Sequence, residues 1–287
     1  MLRRLVTVLL VGCVVPGTAL AGVSRITSDM DHIEAQEVMD QAVYGDTVLV
    51  APGEYKMIYV RNGIHLLGEE GPEKTLFSWT GEVVVANETD SATVIEGISA
   101  DGGKGSPGVI VVEHSKARIK NCIIRNGSAG IRSTFAEPVI ENCRISRCHT
   151  GVYLYETDAV ISGSDIQRCW RGISVVNSDP RIERCTFTVN SLAIFVSEYS
   201  VPIIGGSLEA ANRFLDNPGG AIRNEARLKK DGIRYEKLAI VRAPYNYWGT
   251  NCPDASLFRG DVVYEPWVDE TGTRSLTVCE EPQTEPE

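Results

Sequence analysis

The chain is poor in the residues that metal and nucleotide chemistry draw on. Only four histidines occur, at positions 32, 65, 114 and 149, with no HxH or HxxxH spacing and no Met/His cluster, a poor basis for an imidazole-held metal. The glycine-rich DGGKGSPG at 101–108 lacks the GKS or GKT of a phosphate loop and reads as a turn. No Ser/His/Asp arrangement can be placed. Positive charge is scarce: 28 Lys and Arg face 38 Asp and Glu, a formal net charge of −10. That balance opposes nucleic acid or an anionic membrane as partner. Past the N-terminus no apolar run reaches the ~18 residues of a membrane span, and helix-length periodicity is confined to one segment near the start.

What is present begins with MLRRLVTVLLVGCVVPGTALAG. Two arginines, an apolar run from Leu5 to Val15 and the small-x-small Ala19-Leu20-Ala21 predict a signal peptide over 1–21, removed on export, and a secreted or periplasmic mature chain. Leu10-Val11-Gly12-Cys13 also resembles a lipobox, so lipoprotein anchoring at Cys13 is the minor alternative. Loss of the leader takes two arginines and makes the remainder more acidic. The last residues, 279–287, are acidic and proline-bearing and read as a disordered tail, leaving 22–278 as one domain.

The body of that domain repeats. Units open at Gly108, Gly130, Gly151, Gly172 and Ala193, spaced 22, 21, 21 and 21 residues. Three columns run through them: Ile119, Ile140, Ile161, Ile182, Ile203; Cys122, Cys143, Ser164, Cys185, Gly206; and Ile124, Ile145, Ile166, Phe187, Leu208. Short runs such as GVYLY and ISGSDI alternate with the period of a strand. Units this short without a helix exclude ankyrin and tetratricopeptide arrays, and the leucine-rich consensus is missing. The remaining solution is a coil of two or three strands per turn, stacked about 4.8 Å apart by parallel pairing.

The repeats resemble the right-handed parallel β-helix of the pectate-lyase-like superfamily, especially its NosD-like and carbohydrate-binding/sugar-hydrolase members, from Ile33 to about Trp267. AQEVMDQAVYGDTVLVAPGEY is similar to the family's opening helix and first coil, and APYNYWGTNCPD with VVYEPWVDE to its ending. The resemblance implies an all-β fold, a single-stranded right-handed parallel β-helix with an N-terminal capping helix and an irregular C-terminal cap. Ala35, Val38, Met39 and Ala42 give the helix an apolar stripe to plug the solenoid. Gly205–Asp216 and ARLKKDGIRYEK break the rhythm and read as loops or irregular last coils. A monomer is expected.

Alternation after each repeat glycine points Val109, Ile131, Val152, Ile173 and Ile194 inward. The outward columns are then Ile110, Arg132, Tyr153, Ser174, Phe195 and Val112, Thr134, Tyr155, Val176, Ser197. Enzymes of the superfamily hold catalytic acids, calcium ligands and arginines on this surface. Here Tyr153, Tyr155 and Phe195 are candidates for stacking sugar rings, or for packing beneath the ARLKKDGIRYEK loop. Glu137, Asp158 and Asp179 share one offset and stack, with Glu156 and Glu198 nearby. Such a column suits a Ca²⁺ site, and equally suits turns, since Glu137 and Asp179 precede prolines. For a lyase or hydrolase the weak catalytic candidates are Asp158, Asp179, Arg132, Arg171 and Arg181.

Seven cysteines follow the leader. Cys122, Cys143 and Cys185 read as small buried ladder residues. Cys148 and Cys169 are stacked neighbours within disulfide reach, and Cys252 and Cys279 are placed to clip the C-terminal segment. Trp248 and Trp267 read as core of the terminal cap or as a carbohydrate platform. Three functions stay open: an exported protein binding polysaccharide or a cell-surface glycan, a Ca²⁺-dependent polysaccharide lyase or glycoside hydrolase, and a NosD-like periplasmic accessory in metal-site maturation.

Overall fold

Each regular coil carries three strands. In the unit that opens at Gly130 these are Ala129–Thr134, Val139–Glu141 and Arg144–Ser146. Stacked coil on coil, they build three parallel faces: a long face of nine strands, a second face of eleven and a third of eight. The solenoid therefore rises through about eleven coils. A computed structural model describes residues 21–103, 105–230 and 233–279. The expected signal peptide with Cys13, and residues 280–287 of the acidic tail, lie outside them. Among the described residues no helix is long and apolar enough to cross a membrane.

The coils repeat because each can bury its apolar face only against a copy of itself. Ile95, Ile119, Ile140, Ile161 and Ile182 are register partners on the second face and are fully buried, each removal from water contributing about 1.5–3 kcal/mol. Ile124, Ile145, Ile166, Phe187 and Phe214 do the same on the third face. There the column turns aromatic, with ring centroids 4.8 Å apart for Phe187–Phe214 and 4.6 Å for Phe214–Trp248. Trp248 and Trp267 are buried in the C-terminal cap, so neither is free to act as an open platform.

Both ends are finished by specific groups. The helix His32–Gln41 starts in a capping box, the Asp31 side chain accepting from Ile33 and Glu34 amides while Glu34 accepts from the Asp31 amide. Ala35, Val38 and Met39 are its buried stripe. Gln36 accepts from the Tyr59 amide at 2.9 Å and donates to the Tyr59 carbonyl at 3.0 Å. That carboxamide takes the place of a neighbouring strand at the edge of the long face, which an open edge would leave to other chains. At the other end a disulfide joins Cys252 to Cys279, the pairing expected.

Several sequence assignments shift. The 22-residue step from Gly108 displaces the first unit by one, so Ile110 pairs with Ile131 and Val111 with Arg132; Ile110 and Val112 face the core, not solvent. After Ser200 the columns slip again. Ile204, not Ile203, follows Ile182, and Phe214, not Leu208, follows Phe187. Asn212 replaces Gly206 behind Cys185, its Oδ1 accepting from the Cys185 amide at 2.9 Å. Cys148 and Cys169 are free buried thiols, as are Cys122, Cys143 and Cys185. Each donates to the carbonyl two residues before it, and burial pushes the Cys185 thiol up to about 12. The ARLKKDGIRYEK segment forms an antiparallel pair, Arg227–Lys230 with Ile233–Leu238.

Candidate functional site

At every corner of the coil one residue adopts the left-handed conformation. Where the chain leaves the long face these are His114, Phe135, Glu156, Asn177 and Glu198; where it returns, Asn126, Arg147, Arg168 and Val189. For a residue with a Cβ this conformation costs roughly 1–2 kcal/mol, and it turns the side chain out to the rim. The long face is thereby bordered by two unlike edges. The exit rim is acidic, with Glu137, Glu156, Asp158, Asp179 and Glu198 all exposed, while the entry rim carries exposed Arg147 and Arg168 and partly exposed Arg171.

Between the rims Tyr153 and Tyr155 stand half-buried on one strand, Thr150–Tyr155. Phe195 lies two coils on in the column of Tyr153, separated from it by Ser174, which the flanking larger side chains leave only 1% exposed. Phe135 extends the aromatic surface to the acidic rim, edge-on to Tyr155 at 5.6 Å and stacked on His114 at 5.3 Å. The negative charge of Glu156 and a hydrogen bond to it raise the Tyr155 phenol above its usual 10.0. On the opposite rim His149 stacks on Trp170, 59% exposed, at 6.2 Å.

The acidic column holds the corners together. Asp158 Oδ1 accepts from the Asp179 amide at 2.8 Å, Asp179 Oδ1 accepts from the Val201 amide at 2.5 Å, and Glu137 is ion-paired to Lys116 at 2.9 Å. The Asp158 and Asp179 carboxylates replace sheet acceptors where the faces end. Among the described residues no three His, Cys, Asp or Glu converge as a metal site would require. A cavity of about 430 Å³ does lie here, bordered by His114, Lys116, Glu137, Glu156 and Asp158.

The candidate arginines do not meet that column. Arg132 is ion-paired to Glu82 two coils away and passes over Gly108, where a Cβ would lie 3.1 Å from the Arg132 Cβ. Arg181 sits on the second face, bonded to Glu183 at 3.0 Å. Arg171 is on the opposite rim, its guanidinium 4.1 Å from the centroid of Phe195. The four histidines are equally dispersed: helix, second face, acidic rim and basic rim.

Two groups of residues escaped the sequence. Asn190, Asn212 and Asn246 form inward ladders, their carboxamides bridging coils. Arg223 and Arg259 stand on the last long-face strands as register partners, in coils whose length no longer follows the repeat.

The family described as a right-handed beta helix region matches residues 83–227, half of the chain. The protein belongs to it. No curated protein matches this β-helix. Among solved structures it is similar to an alginate lyase from Paenibacillus sp. str. FPU-7, at 15% identity and a TM-score of 0.55 over 77% of this chain and 86% of that one. At that identity the likeness shows the fold.

Proposed function

We propose that this is an exported polysaccharide-binding β-helix whose long face holds the glycan. The observation that carries the reading is the aromatic surface: Tyr153, Tyr155 and Phe195 partly open on the face, with Phe135 and Trp170 exposed at its two rims. Aromatic rings present large, rigid area to the apolar face of a sugar at small entropic cost. The leader expected over residues 1–21 supports work outside the cytoplasm.

Replacing Tyr153 and Tyr155 together by alanine is expected to abolish retention on insoluble polysaccharide while the far-ultraviolet spectrum stays unchanged. Retention equal to that of the parent chain refutes the assignment.

A second reading, a Ca²⁺-dependent polysaccharide lyase, is favoured by the cavity at the acidic rim beside Tyr155. Its weakness is chemical. A phenol held above its usual pKa is a poorer source of phenolate at neutral pH, and Asp158 and Asp179 already accept backbone amides. The ultraviolet absorbance of an unsaturated uronate product, on incubation with uronate polymers and Ca²⁺, distinguishes lyase from binding protein.

A further inference from the structure

The C-terminal end of the long face opens into a groove of about 600 Å³ lined by three arginines, Arg171, Arg223 and Arg259, together with Trp170, Leu257 and Phe258. Such a concentration of positive charge is anomalous in a chain of net charge −10. Arg223 and Arg259 are direct register partners on adjacent strands, a juxtaposition of like charges that destabilises a sheet. Only Arg223 is neutralised, by Glu225 at 2.7 Å. Among the described residues neither Arg171 nor Arg259 has a carboxylate partner. Arg171 is also held in place, its guanidinium stacked on the Phe195 ring, so little freedom remains to be lost on binding. An arrangement that costs stability and, among the described residues, leaves Arg171 and Arg259 without a carboxylate is relieved by an anion.

The rest of the groove says what carries that anion. Leu257 and Phe258 give it an apolar lining, and Trp170, 59% exposed, forms a wall. Inorganic phosphate or sulfate would waste this surface. A sugar ring bearing an acidic substituent fits both parts: its C–H face against the tryptophan and the lining, its carboxylate or sulfate against the guanidinium forks. We infer that this groove is an anion subsite for acidic sugar residues, placed where the aromatic track of the long face meets its last coils. The inference deepens the glycan-binding reading and rests on it for the polymer, but not for the groove itself.

The test titrates the full chain with trigalacturonate, a sulfated galactotriose and neutral galactotriose, reading tryptophan fluorescence. The Trp170→Phe variant assigns the signal among the four tryptophans. One or both acidic trisaccharides should produce a saturable change that the neutral one does not, and which acid responds identifies the substituent. Arg171→Gln and Arg259→Gln should each weaken binding at least tenfold, and added salt should weaken it in the parent chain. An equal response to the neutral sugar, no response to either acid, or affinities untouched by both arginine substitutions overturns the inference. Retention on polysaccharide that depends on Tyr153 and Tyr155 would survive that failure. Conversely, a groove that binds acidic trisaccharides in a chain no polysaccharide retains leaves the subsite standing and removes the long-face reading.

Discussion

Replacing Asn212 by alanine tests how the coils are held in register where the repeat becomes irregular. Asn212 is fully buried. Its Oδ1 accepts from the Cys185 amide at 2.9 Å, and its Nδ2 donates to the Ile182 carbonyl and to Asn246 Oδ1, both at 2.9 Å. Alanine leaves the Cys185 amide unpartnered in the core, whereas the Ile182 carbonyl keeps the Gly205 amide at 2.9 Å. One orphaned buried group costs about 1–3 kcal/mol. Asn246 is spared, because the Asn212 amide still donates to it. Serine provides a graded control. Ser164 Oγ, two coils earlier in this column, accepts from the Cys143 amide at 3.1 Å, so Asn212→Ser should restore the acceptor for Cys185 and recover most of the loss. Urea unfolding measures the total, and hydrogen exchange at the Cys185 amide shows whether the damage is local, as neighbour-only coupling in a solenoid requires. A loss below about 1 kcal/mol, or a serine variant no better than alanine, refutes the assigned role.

Phe187→Ala breaks the stack with Phe214 and Trp248 and should cost about 3–5 kcal/mol in urea unfolding; a cost near that of a surface change would show that the column does not carry packing energy. Burial would raise the Asp101 carboxyl, but hydrogen bonds from Arg125, Asn126 and the Gly103 amide outweigh it and hold the group below its usual 3.8. Its contribution is therefore full above the unfolded value and lost as pH falls through the lowered one. Asp101→Asn should flatten the acid limb of the stability profile, and an unchanged limb counts against that ion pair. Because the charge of Glu156 lifts the Tyr155 phenol, Glu156→Gln should move one tyrosine to lower pH in an alkaline absorbance titration, and identical curves would show that the two groups do not interact.

Between Gly130 and Phe195 the sequence could be read almost residue by residue, because three equal coils force equal side chains to equal places. Ile131, Val152, Ile173 and Ile194 are all buried as alternation demands. The reading failed wherever coil length changed. One extra residue before Gly130 turned Ile110 inward, since a shift of one in a strand reverses every side chain. Six residues inserted before Asn212 hid the continuation of two columns. The candidate site was legible in part for the same reason: Tyr153, Tyr155 and Phe195 belong to regular coils, whereas Arg223 and Arg259 do not. The rims were hard to see because, Asn126 and Asn177 aside, their left-handed corners are filled by residues such as Phe135, Arg147, Arg168 and Val189, which carry none of the glycine or asparagine signal by which such backbone is recognised.

Those corners have a bearing on how the protein could be altered. Partners Thr186 and Arg213 are 27 residues apart and Ile194 and Ile222 are 28 apart, yet their rungs pair as the 21-residue rungs do. Height is set inside the faces and girth at the corners, so the two vary independently. A segment grafted between Glu198 and Pro202 would raise a wall beside the tyrosines without moving Ile204 from beneath Ile182, and a shortened one would open the face. The solenoid behaves as a shelf of fixed spacing whose uprights can be exchanged one at a time.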